Sequence, residues 1–365
     1  MKIITPKDTV SISSKKVLQI LHDPEASAKA VKLIYVHDCD PGITRIKKGK
    51  SFTYKLNGKP VNDEDTLFRI KRLVIPPAWE KVWICAHENG HIQCTGFDVK
   101  GRKQYRYHEL WNALRNETKF YRLLEFGEAL DGIRSRLSKD LAQQNLTKEK
   151  VLAAIVSVMD KTSIRVGSSM YEKLYGSYGL STMKDQHVKI NGNMVSFAFK
   201  GKKGVYHNIS LKSAKLARII KQCRDIPGKE LFQYVDKDGN RHSIDSGAVN
   251  NYIKEISGGE FTSKDFRTWT GTTQCLAAFS KIGTYETQTQ MKKNVVSALD
   301  CVAEALGNTR TVCKKHYVHP VILNSYENNK LTKYLKDLEA EKPETPAVQE
   351  KSEKVLLEIL KKELV

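Results

Sequence analysis

A change in hydrophobic periodicity near His108 constrains the fold of this chain more than any other feature of its sequence. From about Gly42 to Tyr107 the chain reads as short strand-like segments separated by turn signals such as Asn57-Gly58. From Glu109 onward, apolar residues recur at spacings of three and four, which is the period of an amphipathic helix. The chain has 365 residues, more than one ordinary domain contains. We therefore predict an α+β protein with a small β-rich N-terminal domain and a larger, mainly helical domain.

The second part of the chain can be divided into individual elements. A short β island at Val188–Ile209 contains turns at Asn191-Gly192 and Gly201–Gly204. Thr147 is a favourable N-cap for the helix that follows it. The spacing of apolar residues predicts helices at Glu109–Leu124, Leu130–Leu141, Lys148–Asp160, Ser213–Cys223, Ala248–Ile256, Gly271–Ser280 and Gln288–Leu306.

The C-terminal segment differs from the rest in composition. Residues 327–365 contain 8 basic and 9 acidic side chains together with Pro343 and Pro346. A short amphipathic helix is predicted near the end by Val355, Leu356, Ile359 and Leu360. We interpret this tail as an appended interaction or solubility element. The predicted domains are therefore 1–109, 110–326 and 327–365.

The charge of the chain points to a polyanionic partner. Lys and Arg number 61 against 41 acidic residues, a net charge of +20, and residues 1–326 hold all of this excess with 53 basic and 32 acidic side chains. Such an excess most often indicates nucleic acid. The N-terminus has no secretory signal pattern, no run of about 20 apolar residues occurs, and the seven cysteines are scattered. We expect a cytoplasmic protein with reduced thiols and no membrane partner.

One cluster, Cys85, His87, His91 and Cys94, has the residue types of a zinc site. Asn89-Gly90, however, is a strong two-residue hairpin turn between the predicted strands 82–87 and 91–95. In that register Cys85 faces Cys94, whereas His91 points to the other face of the sheet. Four converging ligands do not result, so we expect no metal site. We also expect no disulfide, because thiols stay reduced inside a cell.

A dispersed set of cations and one tyrosine carry the chemical signal. The sequence has neither a phosphate-binding P-loop nor an HExxH zinc-protease pair. Tyr317 is surrounded by five basic or imidazole side chains, which favour a phenolate and bind phosphate. Basic residues also stand out in three other blocks, 159–167, 197–207 and 262–272.

Together with 35–45, 74–79 and 101–107, these blocks resemble the type IB DNA topoisomerases of the small bacterial and poxviral kind, over about Leu33 to Leu323. The resemblance implies a catalytic domain of the tyrosine recombinase and type IB topoisomerase fold that forms a clamp around duplex DNA. It implies relaxation of supercoiled DNA without ATP through a 3′-phosphotyrosyl intermediate. It also implies a monomeric bacterial, nucleoid-associated enzyme that needs no cofactor.

The resemblance assigns roles to individual residues. Tyr317 matches the nucleophile of the family, and Arg165 and Arg267 match the two arginines that hold the scissile phosphate. Lys202, at the tip of the predicted hairpin, matches the lysine that protonates the leaving 5′ oxygen. These residue types suit the reaction, because arginine presents paired donors to an oxyanion and a leaving alkoxide needs a proton.

Two further positions complete the predicted catalytic set. Lys264 matches a basic residue near the same phosphate. Asn308, nine residues before Tyr317, falls where poxviral members have histidine and bacterial members have asparagine. It is therefore expected to hydrogen-bond a non-bridging phosphate oxygen. In the first domain, the residues predicted to contact a DNA groove are Arg102, Lys103, Gln104, Tyr105 and Tyr107.

Two other classes of protein share some of these sequence features. A tyrosine recombinase resembles this chain in fold and chemistry, but that family has histidine at the position of Lys264 and lacks the Pro-Pro-Ala-Trp motif ending at Trp79. A non-catalytic basic DNA-binding protein would explain the charge but not the set formed by Arg165, Lys202, Arg267 and Tyr317.

Overall fold

The computed structural model describes residues 20, 22–49, 51–99, 101, 103–339 and 346–364. Arg102, one of the predicted DNA-binding residues, lies outside them. The chain forms two compact units that divide between Arg122 and Leu123, and the second unit extends to Glu363. No helix in the described ranges is both long and apolar enough to cross a membrane.

The first unit is built on a six-stranded antiparallel sheet. Its strands lie in the order β3 (Lys59–Pro60), β2 (Ser51–Leu56), β1 (Gly42–Lys48), β4 (Glu80–Cys85), β5 (Ile92–Phe97) and β6 (Lys103–Tyr107). Ile43, Val82, Ile84 and Cys94 from this sheet form a buried cluster with Ile70 of helix α2. The predicted β-rich character of this region is confirmed. The elements are α1 (Pro24–Ala30), β1 (Gly42–Lys48), β2 (Ser51–Leu56), β3 (Lys59–Pro60), α2 (Glu64–Arg72), β4 (Glu80–Cys85), β5 (Ile92–Phe97) and β6 (Lys103–Tyr107).

The predicted register of the β4–β5 hairpin is wrong. Cys94 pairs with Ile84 rather than with Cys85, and the connection is a wider loop than a two-residue turn. The cause is His91, which is buried, stacks on Tyr35 at 4.1 Å between ring centroids and accepts a hydrogen bond from the backbone N–H of Val36. Cys85 and Cys94 are free thiols. Within the described residues no group of three or more His, Cys, Asp or Glu side chains is placed to hold a metal ion.

Helices dominate the second unit, as predicted. Helix α4 is its central element, because every residue from Lys150 to Met159 is buried. The elements from the start of the long helix are α3 (Glu109–Leu141), α4 (Lys148–Thr162), α5 (Ser169–Tyr175), β7 (Val188–Asn191), β8 (Met194–Lys200), β9 (Tyr206–Lys212), α6 (Ala214–Arg224), β10 (Gln233–Val235), β11 (Arg241–Ser243), α7 (Ser246–Ser257), α8 (Ser263–Ile282), α9 (Gln288–Leu306), α10 (Arg310–His316), α11 (Pro320–Glu327), α12 (Thr332–Glu339) and α13 (Pro346–Leu364).

The β island and most helices lie where the sequence predicts them, and Thr147 caps α4 through its side chain. Two predictions are wrong. The helices expected at 109–124 and 130–141 form one continuous helix, α3. Gly127, which interrupts the pattern, is a packing glycine: a Cβ there would lie 2.5 Å from the ring of Trp269. The helix expected at 271–280 begins earlier, at Ser263, because Thr262 and Asp265 form a capping box.

The predicted C-terminal amphipathic helix is confirmed and is longer than expected. Leu356, Ile359 and Leu360 of α13 are buried in the second unit. Glu353 forms an ion pair with Arg134 at 2.6 Å, and Arg134 also pairs with Asp160 of α4 at 3.0 Å. The tail is therefore packed against the helical core, contrary to its interpretation as an appended element.

Candidate active site

Arg165 is positioned by the end of helix α4. Ser163 adopts a left-handed conformation, φ 55°, which ends the helix. The carbonyl oxygen of Arg165 accepts a hydrogen bond from the backbone N–H of Leu180 at 2.9 Å. The backbone at Arg165 is thereby fixed on both sides, and the guanidinium group projects from a rigid segment.

Arg267 lies in the second turn of α8 and is buried, with 5% of its surface exposed. Its Nη1 donates to the carbonyl oxygen of Ser163 and its Nη2 donates to that of Leu306 at 2.8 Å. These two carbonyl groups belong to the C-terminal ends of α4 and α9, where unpaired carbonyls accumulate and the helix dipole favours a cation. The ends of two helices thus fix the guanidinium group of Arg267.

Asn308 is held against Arg165. Nη2 of Arg165 donates to Oδ1 of Asn308 at 2.6 Å and lies 3.4 Å from the carbonyl oxygen of Gly307. Gly307 ends α9 in the left-handed region, φ 56°, and the backbone N–H of Asn308 bonds to the carbonyl of Ala303. Asn308 is therefore fixed both by a helix cap and by an arginine.

Tyr317 follows α10 as its C-terminal cap. The guanidinium carbon of Arg267 lies 5.1 Å from the centroid of the Tyr317 ring. Helix α8 also packs against the backbone of this tyrosine, because the hydroxyl of Thr272 lies 3.2 Å from its carbonyl oxygen and a Cβ at Gly271 would lie 2.5 Å from the same atom. The helix that carries Arg267 therefore also places Tyr317.

The electrostatics of this cluster favour an anion. Burial lowers the pKa of Arg165, and burial together with the charge of Arg165 lowers the pKa of Arg267 to about 10, so both remain protonated at neutral pH. Interaction with the Tyr317 side chain partly offsets the lowering of both pKa values. Within the described residues, every hydrogen bond from these two guanidinium groups goes to an uncharged oxygen. Two positive charges are therefore left without a carboxylate.

Two buried donors in the same cluster lack acceptors. Nε of Arg267 and Nδ2 of Asn308 are buried and have no hydrogen-bond partner among the described residues. An unpaired buried donor costs about 1 to 3 kcal/mol, which a bound anion with several oxygen acceptors would offset. A phosphodiester group has the charge and the acceptors that this arrangement requires.

The two predicted lysines are placed differently. Lys202 is exposed in the short turn between β8 and β9, with Nζ 5.7 Å from the ring centroid of Tyr171, and it lines a small cleft together with Arg165 and Arg267. Lys264 is exposed in the first turn of α8 and is not among the residues that line this cleft. The structure thus brings Arg165, Arg267, Asn308 and Tyr317 together, with Lys202 at the same cleft.

His207, for which the sequence predicts no role, also lines this cleft. Its half-buried ring stacks on Phe199 at 5.2 Å and lies directly beside Gly201 and Gly307. Burial, together with the charges of Arg165 and Arg267, lowers the pKa of His207, so the imidazole is neutral at neutral pH. The sequence feature that could have indicated a close contact here is a glycine immediately before Lys202 and another immediately before Asn308.

Four of the predicted DNA-contacting residues, Lys103, Gln104, Tyr105 and Tyr107, lie on β6. Tyr105 and Tyr107 point to one face with their rings stacked at 5.8 Å and 5° between planes, as their spacing predicts. Lys103 pairs with Asp38 at 2.5 Å, and the amide of Gln104 donates to Asp98 at 3.0 Å. Both polar side chains are therefore engaged with acidic residues in the protein without DNA.

Comparison with protein families gives two matches. Residues 100–344, about two thirds of the chain, match the model of the eukaryotic DNA topoisomerase I catalytic core. Residues 51–98 match the model of the bacterial DNA topoisomerase IB N-terminal domain. The two matched regions meet close to the change in periodicity at His108.

Individual relatives agree with the family models. The DNA topoisomerase 1B of Acanthamoeba polyphaga mimivirus is 35% identical over 297 residues, which cover 79% of this chain and 88% of the relative. The DNA topoisomerase I of Monkeypox virus is 24% identical over 286 residues, covering 76% and 87%. The DNA topoisomerase 1 of Rabbit fibroma virus is 23% identical over 298 residues, covering 75% and 88%. These matches show that the chain belongs to the type IB DNA topoisomerases.

Proposed function

We propose that this enzyme relaxes supercoiled duplex DNA by cutting one strand with Tyr317, letting the strand rotate and resealing it. The observation that carries this proposal is the cluster of Arg165, Arg267, Asn308 and Tyr317. In it Arg267 lies against the tyrosine ring, Arg165 donates to Asn308, and Nε of Arg267 and Nδ2 of Asn308 have no acceptor among the described residues. Membership of the type IB topoisomerases supports the same reaction.

The cleavage step follows from the chemistry of these side chains. The phenolic oxygen of Tyr317 loses its proton to water and attacks the scissile phosphorus, forming a 3′-phosphotyrosyl bond. The bond to the 5′ oxygen breaks, and Lys202 donates a proton to that oxygen as it leaves. Attack by the 5′ hydroxyl on the phosphotyrosine reverses these steps. Because the covalent bond conserves the energy of the phosphodiester, resealing needs no nucleotide.

Arg165, Arg267 and Asn308 stabilise the charge that builds on the non-bridging oxygens. Each preorganised donor of this kind contributes about 3 to 4 kcal/mol to the stability of a transition state. Asn308 supplies Nδ2 as a donor while its Oδ1 is held by Arg165. We assign Lys264 the weaker role of attracting the same phosphate from the surface of α8.

We further propose that residues 1–109 and 110–326 close around duplex DNA as a clamp and that the enzyme acts as a monomer. The net charge of +20 and the stacked Tyr105 and Tyr107 on β6 support contact with DNA over a broad surface. The match of residues 51–98 to a bacterial N-terminal domain supports a bacterial, nucleoid-associated enzyme.

A relaxation assay tests the function. Supercoiled plasmid is incubated with the enzyme in EDTA without nucleotide, and the topoisomers are separated by electrophoresis. The proposal predicts a ladder of relaxed topoisomers, since every catalytic cation is a side chain. Recombinant products at specific sites without general relaxation would identify a tyrosine recombinase, and retarded but fully supercoiled plasmid would identify a DNA-binding protein without catalysis.

A further inference from the structure

The imidazole of His207 separates the two backbone turns that present predicted catalytic residues. Gly201 immediately precedes Lys202, and a Cβ at Gly201 would lie 2.6 Å from Cδ2 of the His207 ring. Gly307 immediately precedes Asn308, and a Cβ at Gly307 would overlap Cε1 of the same ring. One ring is therefore in van der Waals contact with both turns. Each turn has a glycine at the point of contact, and any other residue would bring a Cβ into the ring.

The His207 ring is itself held in place. It belongs to β9, where it pairs with Phe199 of β8, and the two rings stack at 5.2 Å with 21° between their planes. No hydrogen bond of the imidazole is found within the described residues, so the ring acts through its shape. The charges of Arg165 and Arg267 near the half-buried ring lower its pKa, so it adds no third charge.

The two turns differ in their other supports. Asn308 is fixed independently of His207, because its Oδ1 accepts from Arg165 and its backbone N–H bonds to Ala303. Among the described residues, the backbone bonds within the turn of Lys202 are local, from Gly201 to Val205 at 2.7 Å and from Gly204 to Gly201 at 3.1 Å, and the nearest outside support is at Lys200, whose carbonyl accepts from the backbone N–H of Tyr178 at 2.8 Å. Loss of the imidazole therefore releases the turn of Lys202 more than that of Asn308.

We propose that His207 is a positioning residue that fixes the turn of Lys202 at the distance from the Asn308 turn at which the lysine reaches the leaving 5′ oxygen. This proposal rests on the proposed function, in which Lys202 is the general acid. A misplacement of about 1 Å can cost two orders of magnitude in rate, so a ring between the turns is sufficient to control proton transfer.

A substrate with sulfur in place of the 5′ oxygen isolates this role, because a thiolate leaves without a proton. Single-turnover cleavage is measured on the oxygen and sulfur substrates for the wild-type enzyme and for His207→Ala, His207→Phe and Lys202→Ala. His207→Ala should slow cleavage of the oxygen substrate about 10- to 100-fold. It should cleave the sulfur substrate at close to the wild-type rate. His207→Phe keeps a flat ring between the turns and should retain most of the activity.

Combined variants provide the matched controls. In a Lys202→Ala background, His207→Ala should cause no further loss on the oxygen substrate. Gly201→Ala should reproduce the sulfur-rescued defect, because its Cβ pushes against the ring, and adding His207→Ala should not deepen that defect.

Three results would overturn the proposal. The first is cleavage of the oxygen substrate by His207→Ala at the wild-type rate. The second is a defect of His207→Ala that the sulfur substrate does not rescue, and the third is an equally large defect in His207→Phe. If instead Lys202→Ala itself were not rescued by sulfur, the error would lie in the proposed function, namely in the choice of Lys202 as general acid.

Discussion

The guanidinium group of Arg267 lies 5.1 Å from the centroid of the Tyr317 ring while its Nη atoms are bound by the carbonyl oxygens of Ser163 and Leu306. Those carbonyls lie at the ends of α4 and α9. Two helix ends therefore fix Arg267, and Arg267 in turn packs against the ring of the predicted nucleophile. Preorganisation of this kind lets donors stabilise a transition state without reorganising during the reaction.

Arg267 and Lys202 should be separable by leaving-group chemistry. Arg267→Ala should slow cleavage by about 100- to 1000-fold on both the oxygen and the 5′-sulfur substrate, because it removes an oxyanion donor. Lys202→Ala should be slow only on the oxygen substrate. Single-turnover cleavage of both substrates by both variants checks this. Rescue of Arg267→Ala by sulfur would show that this arginine acts on the leaving group instead.

Asp38 should limit the contribution of Lys103 to DNA binding, because the two side chains form an ion pair at 2.5 Å. Asp38→Asn should release the lysine and steepen the log–log dependence of DNA affinity on salt by about 0.9, the value for one additional phosphate contact. Titrations of duplex DNA at several salt concentrations measure this slope. The double variant Asp38→Asn/Lys103→Ala serves as the control and should lose the added steepness; if it kept it, another cation would be responsible.

The fold was predictable wherever local signals and tertiary packing agree. The apolar period and the cap at Thr147 place α4, and the glycine turns place β7 to β9. Predictions failed where a distant contact decided the local structure. Gly127 interrupts the apolar pattern of α3, yet the helix continues through it. The ring of Trp269, far away in sequence, packs against this glycine and leaves no room for a Cβ. His91 widens the β4–β5 loop because it is buried against Tyr35.

The candidate site shows the same division. The resemblance to the family selected a catalytic set of six residues, Arg165, Lys202, Lys264, Arg267, Asn308 and Tyr317, whose roles stay predictions. Of these, Arg165, Lys202 and Arg267 line one cleft, Asn308 and Tyr317 contact the two arginines, and Lys264 does not line the cleft. The contacts that hold them could not be predicted, because many of them join residues that are distant in the sequence, as Arg165 does with Asn308. His207 was missed for this reason, since its importance depends on its contacts with two separate glycines.

Arg134 should be important for stability, because it neutralises two acidic side chains that are 12% and 9% exposed, Asp160 and Glu353. Arg134→Met should lower the free energy of unfolding by about 3 to 5 kcal/mol, since both carboxylates lose their buried partner. Lys354→Met breaks an exposed pair with Glu350 and should change the free energy of unfolding far less, because solvent screens the two charges. Urea unfolding measures both. Equal losses in the two variants would contradict a stabilising role of the Arg134 network.

His91 should make the protein sensitive to mild acid. Burial lowers the pKa of His91 from 6.5 to about 4, so the unfolded chain takes up a proton before the folded protein does. Its contribution to stability is complete above pH 6.5 and is lost as the pH falls from there through about 4, a difference of about 3 kcal/mol. Thermal unfolding of His91→Phe between pH 7.5 and 4 should show a flatter profile than that of the wild type. His87→Gln changes an exposed histidine and should keep the wild-type profile; parallel profiles for all three proteins would contradict the prediction.

Tyr317→Phe should abolish both relaxation and the covalent adduct while DNA binding stays nearly unchanged. Only one oxygen atom is removed, so the packing of the ring against Arg267 and the basic surface are retained. Gel-shift and plasmid assays on the same preparation measure the two properties. Loss of binding together with activity would indicate a structural role for the hydroxyl group.

Mass spectrometry of the DNA-linked peptide tests directly whether Tyr317 is the nucleophile. Wild-type enzyme is trapped on DNA and digested with trypsin and nuclease, and the modified residue is located by fragmentation, since Tyr317 and Tyr326 fall between the same two lysines, Lys315 and Lys330. Tyr326 is buried and its hydroxyl donates to the carbonyl of Gly283 at 2.8 Å, so it is not available for attack. The proposed mechanism predicts that the nucleotide is covalently attached to Tyr317. A nucleotide on Tyr326 or Tyr334 would contradict the assignment of the whole catalytic set.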